Sequence, residues 1–175
     1  QRIAYLFRRN VQELDMVVAE LWQELQAALF EPLEFEVGFG EEEDLPPIAI
    51  PNKGMNALLR GYVDRVDCWQ SAGSRYYRVV DYKTGKKDFD YCDVFNGVGL
   101  QMLLYLFALR DSGDEMLGQR PVPAGVQYFP ARVPVLAQAG QLPDAEVEKL
   151  RNKSWERKGF LLHDAHVLSA MESDG

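Results

Sequence analysis

Cysteine is scarce in these 175 residues, with only Cys68 and Cys92 present. Two thiols cannot build a disulfide scaffold or a four-cysteine zinc or iron-sulfur site within the chain, so a reducing compartment is expected. Long hydrophobic runs are also missing. No stretch approaches the ~20 apolar residues of a membrane helix, and the opening QRIAYLFRRN lacks the uninterrupted apolar segment of a signal peptide. A cytoplasmic protein without a membrane partner is expected. Basic residues are in deficit, 19 Lys+Arg against 27 Asp+Glu for a net charge of −8, the wrong sign for a broad nucleic-acid-binding face. On composition alone DNA is a disfavoured partner. His163 and His166 have no third ligand nearby and read as surface residues. There is no G-x-S-x-G elbow, and T-G-K-K at 84–87 lacks the earlier glycine of a phosphate-binding loop. What is present, 47% hydrophobic and 26% charged residues, suits a folded globular domain with a sizeable core. A chain that starts without Met and stops at SDG is expected to be a fragment of a longer polypeptide.

Apolar residues at Ile3, Leu6, Phe7, Val11, Leu14, Val18, Leu21, Leu25 and Leu29 follow one helical stripe, predicting a long amphipathic helix that ends before Pro32. A strand over 33–39 follows, then an acidic, Pro-rich loop over 41–51 that reads as solvated rather than as a ligand cage. Two strand-like runs, 57–69 and 76–83, are joined by turn-forming QSAGS and predict a hairpin. A second helix is predicted over 94–109 with Leu100, Leu103, Leu104 and Phe107 as its apolar stripe. Residues 125–131 predict a strand, PDAEVEKLRNKSWERKG a surface helix or ordered loop, and HDAHVLSAM a short closing helix. The order is α-β-β-β-α-β in one domain covering 1–175.

The segment VVDYKTGKK carries the chemistry. Alternation along a strand puts Asp81 and Lys83 on one face and Val80 and Tyr82 on the other. In the preceding strand, Asp64 and Asp67 differ by an odd number, so only one of them joins Asp81. Asp64 is the candidate: its face also carries Leu58, Tyr62 and Val66, and an unpaired carboxylate among apolar residues is costly unless a cation offsets it. Asp67 reads as the salt-bridge partner of an arginine such as Arg65 or Arg78. Two adjacent carboxylates repel, and a divalent cation removes that conflict. Oxygen ligands without His or Cys favour Mg²⁺, with Mn²⁺ as a substitute, and Mg²⁺ retains waters that can serve as nucleophile. Lys83 is suited to stabilising the charge of a phosphoryl transition state or to orienting the attacking water. The chemistry implied is phosphodiester hydrolysis.

With G-x-x-D in one strand, D-Y-K in the next and Q-x-x-x-Y in the following helix, the sequence resembles the RecB-like branch of the PD-(D/E)xK nuclease superfamily. The ordered strings FEPLEFEVGFG, LPPI, LLRGYVDRVD, YYRVVDYKTGKKDF and GVGLQMLLYL are similar to the nuclease domain of AddB-type subunits of bacterial helicase-nucleases. The resemblance implies an α/β, restriction-endonuclease-like αβββαβ core with a mixed central sheet flanked by helices. It implies that Asp64 and Asp81 hold the metal, that Lys83 is the catalytic lysine, and that Gln101 and Tyr105 line the active site and contact DNA. Glu36 matches a further metal-associated acid, with Glu34 on the same strand face as the alternative. Lys86 is a candidate DNA-phosphate contact, with a solvated turn as the alternative. The implied partners are a DNA strand delivered by a helicase channel and an AddA-like helicase-nuclease subunit, in the bacterial cytoplasm, during double-strand break processing. An iron-sulfur cluster is implied for the full-length protein but not for this fragment, where Cys68 and Cys92 do not fit its pattern. The alternatives are a catalytically silent DNA-guiding module and a free-standing repair nuclease. Much of the negative charge lies in Glu41–Asp44 and the C-terminal third, so net charge does not decide what the carboxylate-bearing site does.

Overall fold

The sheet of this α/β fold is built from strands that neighbour one another in an order different from their order in the chain. The computed structural model describes residues 2–52, 54–85, 90–118, 120–133 and 143–172. Its elements are α1 (Arg2–Ala27), β1 (Glu31–Phe39), β2 (Ile48–Asn52), β3 (Met55–Leu59), β4 (Gly61–Ser71), β5 (Ser74–Lys83), α2 (Tyr91–Phe95), α3 (Gln101–Ser112), α4 (Asp114–Leu117), β6 (Val122–Pro130), α5 (Asp144–Ser154), β7 (Lys158–Leu161) and α6 (Ala165–Met171). Five strands form the main sheet in the order β1-β4-β5-β6-β7. Only the β5–β6 pair is parallel, and α3 lies in the connection between them, as a parallel crossover requires. The chain thus has the mixed central sheet and flanking helices expected, with α1-β1-β4-β5-α3-β6 as its αβββαβ core.

Each face of the sheet has its own cover. On β5, Tyr77 and Val79 point toward α3, where Val66, Met102, Tyr105, Leu106, Leu109 and Val126 complete the main core. The Tyr77 hydroxyl donates to the Leu106 carbonyl at 2.6 Å, and burial pushes the phenol pKa well above its usual value. On the opposite face, Phe30, Ala124, Val167, Ala170 and Met171 form a second cluster against Trp69 and Tyr76. Asp164 caps α6 by accepting from the His166 and Val167 amides, an arrangement that satisfies otherwise orphaned helix donors.

Several sequence expectations need correction. The α1 helix forms, but its apolar stripe does not face the sheet: Ile3, Phe7, Leu14 and Val18 are all more than half exposed, as is Trp22 outside the stripe, and Glu24 is the one buried residue of the helix. The side that meets the domain is set by Glu24, which reaches buried arginines described below. The acidic loop is shorter than predicted, because 48–52 forms a hairpin with β3. The run 57–69 is two strands in two sheets, separated at Arg60. Leu58 therefore does not share a sheet face with Asp64; it and Tyr62 are more than half exposed. The helix predicted over 94–109 is split by NGVG, where Gly97 and Gly99 take φ values of 82° and 74° that favour glycine. Its buried side is Met102, Tyr105, Leu106 and Leu109, while Phe107 is exposed beneath the Arg110 guanidinium. The strand β7, a four-residue partner of β6, is too short to stand out from sequence periodicity. Among the described residues no helix is long and apolar enough to cross a membrane.

Candidate active site

Asp64, near the start of β4, and Asp81 and Lys83, near the end of β5, lie toward the same end of this strand pair. The regular pairing of these antiparallel strands ends at Arg65↔Val80; the same register continued by one step would set Asp64 opposite Asp81. Cross-strand neighbours of this kind lie within about 5 Å at Cβ. The Tyr82 amide donates to Asp64 Oδ2 at 2.7 Å, so the Asp64 side chain binds an amide beyond the regular ladder. Asp81 forms an ion pair with Lys83 on the same strand face. The side chains are partly open, Asp81 at 16% and Lys83 at 35% exposure, which leaves room for a ligand while keeping the charges in a reduced dielectric.

The next strand extends this face. Tyr128 of β6 pairs in register with Asp81, and the Lys83 ammonium lies 5.7 Å from the centre of its ring. Burial, reinforced by the Asp81 charge, pushes the Tyr128 phenol pKa up, although Lys83 opposes the shift. The phenol is therefore a neutral neighbour of the ion pair at ordinary pH.

From the α3 side come Gln101 and Tyr105, one helical turn apart. Gln101 Nε2 donates to the Tyr105 hydroxyl at 2.8 Å. Tyr105 is 1% exposed, its ring stacked on Phe39 at 5.1 Å, so Gln101 is the exposed member of the pair. The Tyr105 hydroxyl rests over Gly61, where a Cβ would lie only 1.9 Å from it. That close approach explains the glycine of G-x-x-D three residues before Asp64. Gly61→Ala is expected to cost about 1–3 kcal/mol through overpacking, measured by urea unfolding, and Tyr105→Phe is expected to recover part of the loss. Equal stability of Gly61→Ala and wild type would contradict this packing.

Glu36 lies between the register pairs Phe35↔Arg65 and Val37↔Val63, across from Asp64, and its side chain is exposed. Its φ of 54° is in the left-handed region, which is costly for a non-glycine residue and interrupts the regular alternation of β1. Glu34 pairs instead with Val66, further along the strand. Lys86 lies outside the described residues. Cys68 on β4 is half-buried and Cys92 on α2 is exposed, both as free thiols; burial raises the Cys68 pKa.

On the reverse face of β4 and β5, a buried ionic network lies behind the site. Asp67 accepts from both predicted arginines, from Arg65 Nη2 at 2.9 Å and from Arg78 Nε at 2.8 Å. Glu24, reaching in from α1, accepts from Arg78 Nη2 at 2.9 Å and from Arg65 Nη2 at 3.3 Å. Gln127 accepts from Arg78 Nη1 at 2.8 Å. All four charged side chains are 6% exposed or less. Burial works against the Arg65 charge, but Asp67 and then Glu24 outweigh it and leave the guanidinium pKa raised. The sequence pattern anticipates the Asp67 pairing but not Glu24 or Gln127. The available signal was an acid near the end of a helix in a chain with buried strand arginines.

Two adjacent carboxylates with no His or Cys beside them match a hard divalent cation in donor type, and such a cation needs only one or two carboxylates plus water. Among the described residues there is no preassembled group of three or more His, Cys, Asp or Glu side chains.

A family model for the PD-(D/E)XK nuclease superfamily matches residues 2–172. The chain belongs to that superfamily. Within it, the chain is similar to ATP-dependent helicase/deoxyribonuclease subunits of the AddB kind. It is 37% identical to that of Acetivibrio thermocellus over 163 residues, 38% to that of Symbiobacterium thermophilum over 174, and 34% to that of Moorella thermoacetica over 174. These alignments cover 91%, 98% and 99% of this chain but 14%, 15% and 15% of the relatives, so the chain spans a small part of the proteins it matches.

Proposed function

We propose that this chain is the nuclease domain, over 1–175, of an AddB-type helicase-nuclease subunit, and that it hydrolyses phosphodiester bonds of DNA in a divalent-metal-dependent reaction. The observation that carries this reading is the convergence of Asp64, Asp81 and Lys83 on one strand-end face. Asp64 and Asp81 hold Mg²⁺ or Mn²⁺, with Glu36 contributing from β1 across the sheet edge. When bound, the metal polarises the phosphate and lowers the pKa of a nucleophilic water. Lys83 exchanges part of its attraction to Asp81 for the charge that develops on the phosphoryl oxygens. Gln101, exposed and fixed by Tyr105, orients the strand. Lys86 is a candidate phosphate contact.

The similarity to helicase/deoxyribonuclease subunits supports exonucleolytic action on a strand delivered by a helicase, an AddA-like partner, and work in double-strand break processing in the bacterial cytoplasm. In that context the iron-sulfur cluster implied for the full-length protein uses cysteines outside these 175 residues. The test is cleavage of end-labelled single-stranded DNA with Mg²⁺ or Mn²⁺. Wild type is expected to cleave, chelation by EDTA to stop cleavage, and Asp64→Ala and Lys83→Ala each to slow it by about 10²-fold or more. Equal cleavage by wild type and both variants overturns the assignment. The other reading is a DNA-guiding module without activity. Absence of Mn²⁺ binding heat in calorimetry together with retained DNA binding would support it.

A further inference from the structure

Resting on the metal-dependent reading above, we propose that Tyr82 and Arg65 form a positioning clamp that holds Asp64 and Asp81 at metal-binding separation from the reverse face of the sheet. The regular β4–β5 pairing stops at Arg65↔Val80, and the two acids lie one step beyond that point. Tyr82 links the strands there by two bonds. Its amide donates to Asp64 Oδ2 at 2.7 Å, and its hydroxyl accepts from Arg65 Nη1 at 2.8 Å.

A cation drawing on the Asp64 carboxylate competes with the first of these bonds for the oxygen's electron density. The second lies on the other face and is untouched by such competition. The clamp is stiff at both ends. Arg65 donates from Nη2 to Asp67 at 2.9 Å and forms an ion pair with it through Nε, and its planar fork leaves Nη1 aimed at Tyr82. The Arg65 guanidinium lies 5.6 Å from the centre of the Tyr82 ring, and Phe129 packs edge-on against that ring at 5.6 Å. Burial raises the Tyr82 pKa, although Arg65 opposes the shift, so the phenol remains neutral. By strand alternation Tyr82 hangs opposite Asp81 and Lys83. It is thus a positioning residue rather than a catalytic one.

The experiment compares wild type, Tyr82→Phe, Arg65→Lys and Asp81→Asn in two assays: Mn²⁺ calorimetry without DNA, and cleavage as a function of Mn²⁺. Tyr82→Phe keeps the ring and removes only the hydroxyl. It is expected to raise the half-saturating Mn²⁺ concentration about tenfold in both assays, as loss of one charge-assisted hydrogen bond allows. KM for DNA and the rate at saturating metal are expected to stay near wild type, and Arg65→Lys is expected to move metal affinity in the same direction. Wild-type Mn²⁺ dependence in Tyr82→Phe, with Asp81→Asn inactive, overturns the clamp and leaves the nuclease site standing. If wild type neither binds Mn²⁺ nor cleaves, the nuclease reading falls and the clamp falls with it.

Discussion

Replacing Asp81 with Asn is expected to lower the rate of DNA cleavage at saturating Mg²⁺ by about 10²–10³-fold, the loss typical when a preorganised electrostatic contribution to the transition state is removed. The substitution keeps shape and removes charge, and it acts in two ways. On the proposed reading a hard oxygen ligand is lost, and Lys83 loses its ion-pair partner. The side chain is only 16% exposed, so bulk water screens this exchange weakly. Single-turnover kinetics over a range of metal concentrations separate the two effects. A rate that recovers fully at high Mn²⁺ would reduce Asp81 to a contribution to affinity, whereas a deficit persisting at saturation places Asp81 in the chemical step. Folding should be little affected, because the core against α3 is built by Val66, Tyr77 and Val79 rather than by this residue.

Asp67→Ala should have the opposite profile, a large loss of stability. Asp67 is 0% exposed and is shared by Arg65 and Arg78, both 0% exposed. Its removal leaves two buried guanidinium groups with Glu24 as their remaining carboxylate partner in the network. Breaking a buried ion pair from one side typically costs about 3–5 kcal/mol, because the surviving charge is left uncompensated. Urea denaturation of Asp67→Ala is expected to show a loss in that range, with a smaller loss for Glu24→Gln, which keeps a hydrogen-bond acceptor. A cost below about 1 kcal/mol for Asp67→Ala would mean that water or rearrangement solvates the arginines and that the network is not the anchor of α1.

The site was more legible in sequence than the fold around it. Asp81 and Lys83 are two residues apart in a strand, and strand period alone puts them together. Asp64 was singled out by the parity that excluded Asp67; the structure has Asp64 accepting from the Tyr82 amide and Asp67 pairing with Arg65 and Arg78. Gln101 and Tyr105 share a helix face by spacing. Their division into an exposed amide and a buried phenol depends on contacts with Phe39 and Gly61, which come from β1 and β4. The stripe along α1 illustrates the converse. Its amphipathic spacing correctly announced a helix, but the inward side is set by one acid meeting two arginines. A buried charge without partners costs more than an apolar side chain left in water.

Taken alone, the residues of this chain determine a mixed α/β domain with an acid-acid-lysine constellation on adjacent strands, because periodicities of 2 and 3.6 and short-range spacing are local properties. Tertiary structure decided the rest: the strand break at Arg60, the close packing of Gly61 beneath Tyr105, the hairpin in the acidic loop, the helix split at NGVG, and the link from Glu24 through Arg65 to Tyr82 on the reverse face. Each depends on which distant side chain arrives opposite a given backbone. That is a matter of packing and charge compensation between elements, to which the period of any single element is blind.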